Sequence, residues 1–408
     1  MSGDFWKKQE KRNQMSRNRI YSNQIIVAAA DTLPEYQENA DLVCTGIHDE
    51  AVIQQALNRA AELRSATVIL LDGTYRIDAF PENDGDGNRA ALVIRESSQL
   101  IVFRGMTGEK SPVIHVTREA LSTIREGDRV SVITVEKRPI NTLVNNFSDF
   151  RMNIDGMDRP LIAINNYYSG ASMIDRVRLS CSGFGPGVMP VPGLVGIRCS
   201  RGNPNGTGQQ MSNIGVFGFY EGYQLGGEHL VAWDLLTRNC YYGYTFGNYE
   251  YDAGVMEHPL TLINCCDELM SCLPLFARCG SFDQKNRRGM QQIDLIGFNM
   301  ELRPLENPTL ADVVPARELT PDSFCGTISF CANKFWHSYE NAPDVQFWEE
   351  GSGHNFRTIN AVHKAGGSTA ERLTYIPQYM QEYYDLDLRK KLIFDGREWV
   401  DYNGNPVK

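Results

Sequence analysis

The sequence predicts an all-β chain, a single-chain parallel β-helix with one helix at its N-terminal end and a small β region at its C-terminal end. Three observations lead there. From residue 90 onward, short β-branched runs follow one another, punctuated by Gly, Asn and Asp. A single amphipathic helix precedes them, and no second long helical pattern appears before about residue 368, which argues against alternating β and α units. Finally, GFYEGYQLG (218–226) lines up with NCYYGYTFG (239–247) at an offset of 21 residues (239 − 218), about one solenoid coil.

Residues 1–22 are polar and basic, with no apolar core of a signal peptide. They read as a leader or attachment arm with Phe5 and Trp6 as anchors, or as a flexible tail. In residues 49–64, Ile53, Ala56, Leu57, Ala60 and Ala61 recur at helical spacing, with Asp49 as the expected N-cap. Such a helix would hide the open end of a strand stack. TVILL then reads as a strand, DGT as a turn and YRI as the next strand. The following strands are expected at ALVI (91–94), LIVF (100–103), VIHV (113–116), VSVITV (130–135), FRMNI (150–154), LIAI (161–164) and MIDRVRL (173–179).

The repeat extends backwards, because NIGVF and DLLTR precede its two copies at the same offset. LINCC (262–266) reads as a third copy. Asn239, Asn264 and Asn333 then fall at strand ends, where stacked asparagines would bond turn backbones. IDLIGFNMEL (293–302) and TISFCANKFW (327–336) continue the series. Residues 305–325, rich in Pro and Asp, read as an insertion or boundary. Residues 368–384 read as a short aromatic helix interrupted at Pro377, and 390–408 as a hairpin with Gly turns. The expected divisions are therefore 1–22, 23–304, 305–367 and 368–408.

Composition narrows the function. The chain has 408 residues, a net charge of −10 and a pI of about 5.3. No basic stripe favours nucleic acid, and no run of about 18 apolar residues favours a membrane span. An acidic surface suits neutral or cationic ligands. None of the ten cysteines has CxxC spacing. They read as buried reduced thiols, made in a reducing compartment.

The stretch DLVCTGIHDEAVIQQALNRAAELRSATVILLDGTYRI (41–77) resembles the opening of pectate-lyase-superfamily right-handed parallel β-helices. NFSDFRMNIDGM (146–157) and ASMIDRVRLS (171–180) resemble rungs of that fold, and the resemblance spans roughly residues 25–340. The end, KKLIFDGREWVDYNGNPVK, is similar to the tails of phage tail and tailspike-like proteins. The resemblance implies a right-handed coil with long polar outer faces suited to an extended polysaccharide. It also implies a homotrimer packed flank to flank, and a virion tail component attached through residues 1–22.

The chemistry is less defined. The polygalacturonase signature is missing, with no NTD triplet, DD pair or RIK, and SGHN (352–355) lacks its context. DGDGN (84–88) lacks the sixth-position glycine and twelfth-position glutamate of a calcium loop and reads as a turn. No metal or cofactor is implied. The richest patch is 233–258. Within it Glu250, Asp252 and Glu257 are candidate catalytic carboxylates, with Trp233, Asp234, Tyr249, Tyr251 and His258 as candidate binding residues. Tyr241, Tyr242 and Tyr244 add aromatic surface. The other reading is solvated loop carboxylates and stacked core tyrosines. In FNMELRP (298–304), Glu301 is a further catalytic candidate and Arg303 a binding one, or the two form a surface ion pair. Trp336, His337, Trp348, Glu349 and Glu350 offer a binding surface, a trimer contact or a cover over the far end. Three functions follow: a tailspike-like protein that binds, and in a catalytic version cleaves, a bacterial surface polysaccharide; a free-standing glycoside hydrolase, lyase or fructotransferase-like enzyme; or a non-catalytic adhesive tail component.

Overall fold

The computed structural model describes residues 23–407 apart from 96–99, 107–110, 137–143, 168, 170, 186–187, 200–207, 227–228, 247–259, 271–272, 278–291, 298, 303–326, 332–333, 338–354, 360–365 and 375–381. The chain opens with β1 (Gln24–Ala28), a one-turn helix α1 (Pro34–Gln37), β2 (Leu42–Val43) and the long helix α2 (Asp49–Glu62). The first coil is β3 (Ser65–Leu70), β4 (Thr74–Ile77), β5 (Glu82–Asn83) and β6 (Arg89–Ile94). The second is β7 (Leu100–Gly105), β8 (Val113–Val116), a short helix α3 (Arg118–Ser122) and β9 (Val130–Val135).

Four coils of one long bent strand and one short strand follow. They are β10 (Val144–Ile154) with β11 (Ile162–Asn165), and β12 (Ala171–Cys181) with β13 (Val195–Arg198). Next come β14 (Gln209–Phe217) with β15 (Glu221–Leu225), and β16 (Leu230–Arg238) with β17 (Tyr242–Phe246). The series ends with β18 (Leu260–Ile263), β19 (Cys266–Met270), β20 (Leu273–Ala277), β21 (Gln292–Ile296), β22 (Asn299–Leu302), β23 (Thr327–Cys331), β24 (Lys334–His337) and β25 (Asn355–Ile359).

From β1 to β25 the strands other than β5 pair in parallel with their counterparts in the neighbouring coil, which makes this a parallel β-helix with three faces. Face one runs from β2 and β1 through β3, β7 and the first halves of β10, β12, β14 and β16 to β18, β21, β23 and β25. Face two runs from β4 and β8 through the second halves of the long strands to β19, β22 and β24. Face three stacks β6, β9, β11, β13, β15, β17 and β20, with β5 as an antiparallel edge. Alternation along each strand sends Phe147, Phe150, Met152 and Ile154 into one continuous apolar core, and their counterparts in later coils likewise.

The corner between faces one and two is a bend inside the long strands. Asp149, Arg176, Asn213, Asp234 and Asn264 each take a left-handed backbone there, with φ between 51° and 63°, and Gly297 continues the line. The expected asparagine stack is therefore corrected. Asn264 lies on this corner, Asn239 lies at the far end of β16 with Gly218 as its neighbour, and Asn333 is outside the described residues. The third repeat copy is corrected too, since Leu262 of LINCC pairs with Ala232, not with the NCYYG segment. The first two copies are in register: Glu221 faces Tyr242 and Tyr223 faces Tyr244 on adjacent strands, and Ile214–Phe217 face Leu235–Arg238.

Helix α2 packs on β1, β3, β4 and β6 through Ile53, Ala56, Leu57, Ala60 and Ala61, all buried. Its N-cap is His48, not Asp49. Asp49 begins the first turn, and its carboxylate serves the sheet instead. On the free edge of β4, the N–H groups of Thr74, Arg76 and Asp78 donate to Asp31 (2.8 Å), Asp49 (2.9 Å) and Glu50 (3.1 Å). On β6, the Gln54 carboxamide accepts from Val93 N–H at 2.7 Å and donates to Val93 C=O at 3.0 Å. These side chains take the hydrogen bonds that a further strand would make.

DGDGN is the turn joining β5 to β6, closed by Asp84 accepting from Asp86 N, Asn88 N and the Asn88 side chain. After the coils, β26 (Gly366–Gly367), α4 (Thr369–Thr374), β27 (Glu382–Asp385), β28 (Lys390–Phe394) and β29 (Trp399–Val400) form a separate small sheet, mostly antiparallel. Its core is Tyr383, Leu392 and Trp399. Within it the Arg372 guanidinium meets Asp385 at 2.8 Å, both fully buried. No helix among the described residues is long and apolar enough to cross a membrane.

Candidate functional site

Two of the residues singled out from the sequence are placed in full. Trp233 is half-buried on the outside of face one, between Ser212 and Ile263 of the flanking strands. Asp234 is exposed at the next position, on the left-handed corner, where Asn264 donates to it at 2.5 Å. Glu301 lies on face two in β22, in register with Trp336 of β24. Tyr249, Glu250, Tyr251, Asp252, Glu257, His258 and Arg303 lie outside the described residues, as do Phe5, Trp6, Trp348, Glu349 and Glu350. Two of the three further tyrosines are core. Tyr244 is buried and stacks on Tyr223, and Tyr242 is also buried.

The described outer surface with the most ligand-like chemistry is face two with its two corners. Because Phe150, Met152, Val177 and Leu179 point inward, Arg151, Asn153, Arg178 and Ser180 point out. The same alternation turns Phe217, Arg238 and Glu268 outward on the next strands. Register stacks them in two rows, Arg151–Arg178–Gly215–Leu236 and Asn153–Ser180–Phe217–Arg238–Glu268. Neighbours along a row are one strand apart, about 4.8 Å. Ser180 donates to Asn153 at 2.9 Å, and Arg238 meets Glu268 at 3.3 Å. Gly215 leaves space that Arg178 uses: a Cβ there would stand 2.8 Å from Arg178 Cδ and 2.8 Å from the Phe217 ring.

An aromatic edge borders this face where it turns into face three. Phe184 stacks on Phe217 with ring centres 6.4 Å apart. Tyr220 and Tyr241 stack at 4.7 Å and 5° from parallel, and Tyr242 meets both edge-on. Phe184, Phe217, Tyr220 and Tyr241 all keep some exposed surface.

The opposite border is the charged corner. Arg176 grips Asp149 with two bonds, Nε at 2.5 Å and Nη2 at 3.0 Å, and also pairs with Asp175. Ser212 donates to Asp175 at 2.5 Å. Burial by itself would raise the Asp149 carboxyl, but the Arg176 guanidinium and the Ser148 hydroxyl outweigh it and hold it below the usual carboxylate range.

Sequence reading missed Arg151, Arg178, Phe217 and Tyr220. The signal was present in FRMNI and DRVRL, since a charged residue between two inward apolar ones must point out. No group of three or more His, Cys, Asp and Glu able to hold a metal occurs among the described residues.

No family model and no curated protein matches this chain. Three solved structures are similar to it at low identity. Escherichia coli YbhC aligns with TM-score 0.32 and 11% identity, over 83% of this chain and 84% of that one. The A-module of the Azotobacter vinelandii mannuronan C-5 epimerase AlgE4 aligns with TM-score 0.19 and 10% identity, over 76% and 91%. Tailspike protein 3 of bacteriophage CBA120 aligns with TM-score 0.17 and 11% identity, over 87% and 67%.

Proposed function

We propose that this chain is a glycan-recognising β-helix of the tailspike kind, binding a bacterial surface polysaccharide along face two. One observation carries the reading: an outward hydrogen-bonding face, rowed at strand spacing, lies beside the aromatic edge of Phe184, Phe217, Tyr220 and Tyr241. Sugar rings offer an apolar face for stacking and hydroxyls for polar rows. A repeating polymer matches a repeating surface with many modest contacts. Cleavage, if it accompanies binding, would fall to carboxylates bordering this face, with Glu268 and Asp234 the candidates whose side chains are described.

The reading includes self-association through face one, where Met173, Val231, Ile263 and Ile296 are exposed beside Trp233. A second copy presents the same strand spacing, and exposed apolar side chains along the face give two copies a surface to bury. Virion attachment through residues 1–22 belongs to the same proposal.

The test is a binding and cleavage screen on bacterial capsular and O-antigen polysaccharides, with Phe217→Ala and Tyr220→Ala beside the parent chain and light scattering for mass. Binding of one polymer that either variant weakens tenfold supports the reading. Binding that neither variant changes moves the site off this face, and binding to no glycan refutes it.

A further inference from the structure

We infer that Arg151 and Arg178 on face two form a binding site for an oxyanion, supplied in a bound polysaccharide by a carboxylate, sulfate or phosphate substituent. The polymeric ligand rests on the glycan reading above; the anion site itself does not.

The two arginines are register partners on β10 and β12, both exposed and both on the outside of the same face. Like charges directly opposite across neighbouring strands destabilise a sheet. Here no carboxylate relieves them. Arg151 makes no ion pair among the described residues. Arg178 makes none either; its Nη1 donates only to the carbonyls of Asn213 (2.6 Å) and Val177 (3.3 Å). The acids on and next to these two strands are already engaged: Asp149 and Asp175 by Arg176, and Asp155 by His115 at 2.9 Å.

Around this corner the guanidinium groups of Arg104, Arg151, Arg176 and Arg178 outnumber the carboxylates of Asp149, Asp175 and Asp234 by four to three. That local surplus sits on a chain whose net charge is −10, so it is not a general excess of cations. The anchoring of Arg178 also matters. Its stem lies over Gly215 beside Phe217, and the two carbonyls fix one edge of its head. The remaining N–H groups are held ready, with little side-chain freedom left to lose on binding. Arginine suits oxyanions because its planar fork matches two oxygens at once. Asn153 and Ser180, one position along the same strands, supply neutral hydrogen-bonding groups for the flanking sugar.

The experiment uses the full chain labelled with 15N-arginine, titrated with inorganic sulfate, beside Arg151→Gln, Arg178→Gln and, as a control on the far helix, Arg59→Gln. In parallel, each protein is titrated with a uronate oligosaccharide and with its carboxyl-reduced neutral counterpart. The expected result is a saturable sulfate shift of the Arg151 and Arg178 Nε–Hε signals, absent from either variant and kept in the control. A preference of at least tenfold for the charged saccharide, lost in both variants, is expected with it. Sulfate leaving both signals unmoved overturns the inference. If the neutral saccharide binds as well as the charged one in a Phe217-dependent way, glycan binding stands and the polymer arm of the anion site falls. If sulfate binds through both arginines but no saccharide does, the anion site stands and the glycan reading falls.

Discussion

Tyr223 and Tyr244 lie opposite one another on adjacent strands of face three, their rings 5.1 Å apart and 21° from parallel inside the core. Each hydroxyl is satisfied by backbone carbonyls on face two: Ile214 and Leu236 for Tyr223, Leu235 and Cys266 for Tyr244. The pair therefore ties two faces together across the coil and explains why the 21-residue repeat is strongest at these rings. Tyr223→Phe should keep the stack and lose about 1 kcal/mol. Tyr223→Ala should lose about 3–5 kcal/mol through the cavity left in the stack. Urea unfolding of both variants checks this; equal losses would mean that the hydroxyl, not the ring, is what matters.

Gln54 substitutes for a strand at Val93. Gln54→Leu keeps the volume of the side chain but leaves a buried N–H and a buried C=O without partners. The expected cost is about 2–4 kcal/mol. Amide exchange at Val93 should rise well before global unfolding. An unchanged Val93 exchange rate would show that the helix, not this carboxamide, protects the edge.

The Asp149–Arg176 pair makes stability pH-dependent. Asp149 ionises below its ordinary value in the folded state. Its contribution is present above the unfolded carboxylate pKa and is lost as pH falls through the lower folded value. Arg176→Met should therefore cost about 1–3 kcal/mol near neutral pH, where it strands a buried carboxylate. The difference from the parent should shrink as pH drops below about 4. Melting curves across that range test it, and a difference independent of pH would assign the loss to packing.

Cysteine reactivity should follow burial. The thiols of Cys199, Cys240 and Cys265 are pushed up to about 12 by desolvation, and Cys44 and Cys181 are raised as well. Cys266, half-buried on face two, should alkylate before Cys44, Cys181, Cys199, Cys240 and Cys265 in the native protein. Mass mapping after brief alkylation at neutral pH reads this directly. Modification of Cys240 before Cys266 would indicate that the coil opens locally.

Much of the coil was legible in residue order. Inward positions are apolar because the core rejects polar side chains, so the alternation in FRMNI, the apolar run VSVITV and the stripe on α2 announced themselves. The N-cap moved by one residue because Asp49 serves the edge of β4, 27 residues away (76 − 49), and no local pattern carries that. The site was far less legible. Outward residues are free of the core, so their identities carry no period, and six of the ten singled-out site residues cluster in 249–258, outside the described coils.

The sequence by itself determined that the chain coils, where its helix lies and which side chains fill its interior. Those outcomes follow from backbone hydrogen bonding and apolar burial acting over a few residues. Only the tertiary structure decided which outward residues meet. Successive coils differ in length, from 21 residues between Gln210 and Val231 to 44 between Leu100 and Val144. Loop closure costs little per added residue, so coil length varies freely. The register that sets Arg151 beside Arg178, and Asn264 beside Asp234, emerges only when whole strands pair.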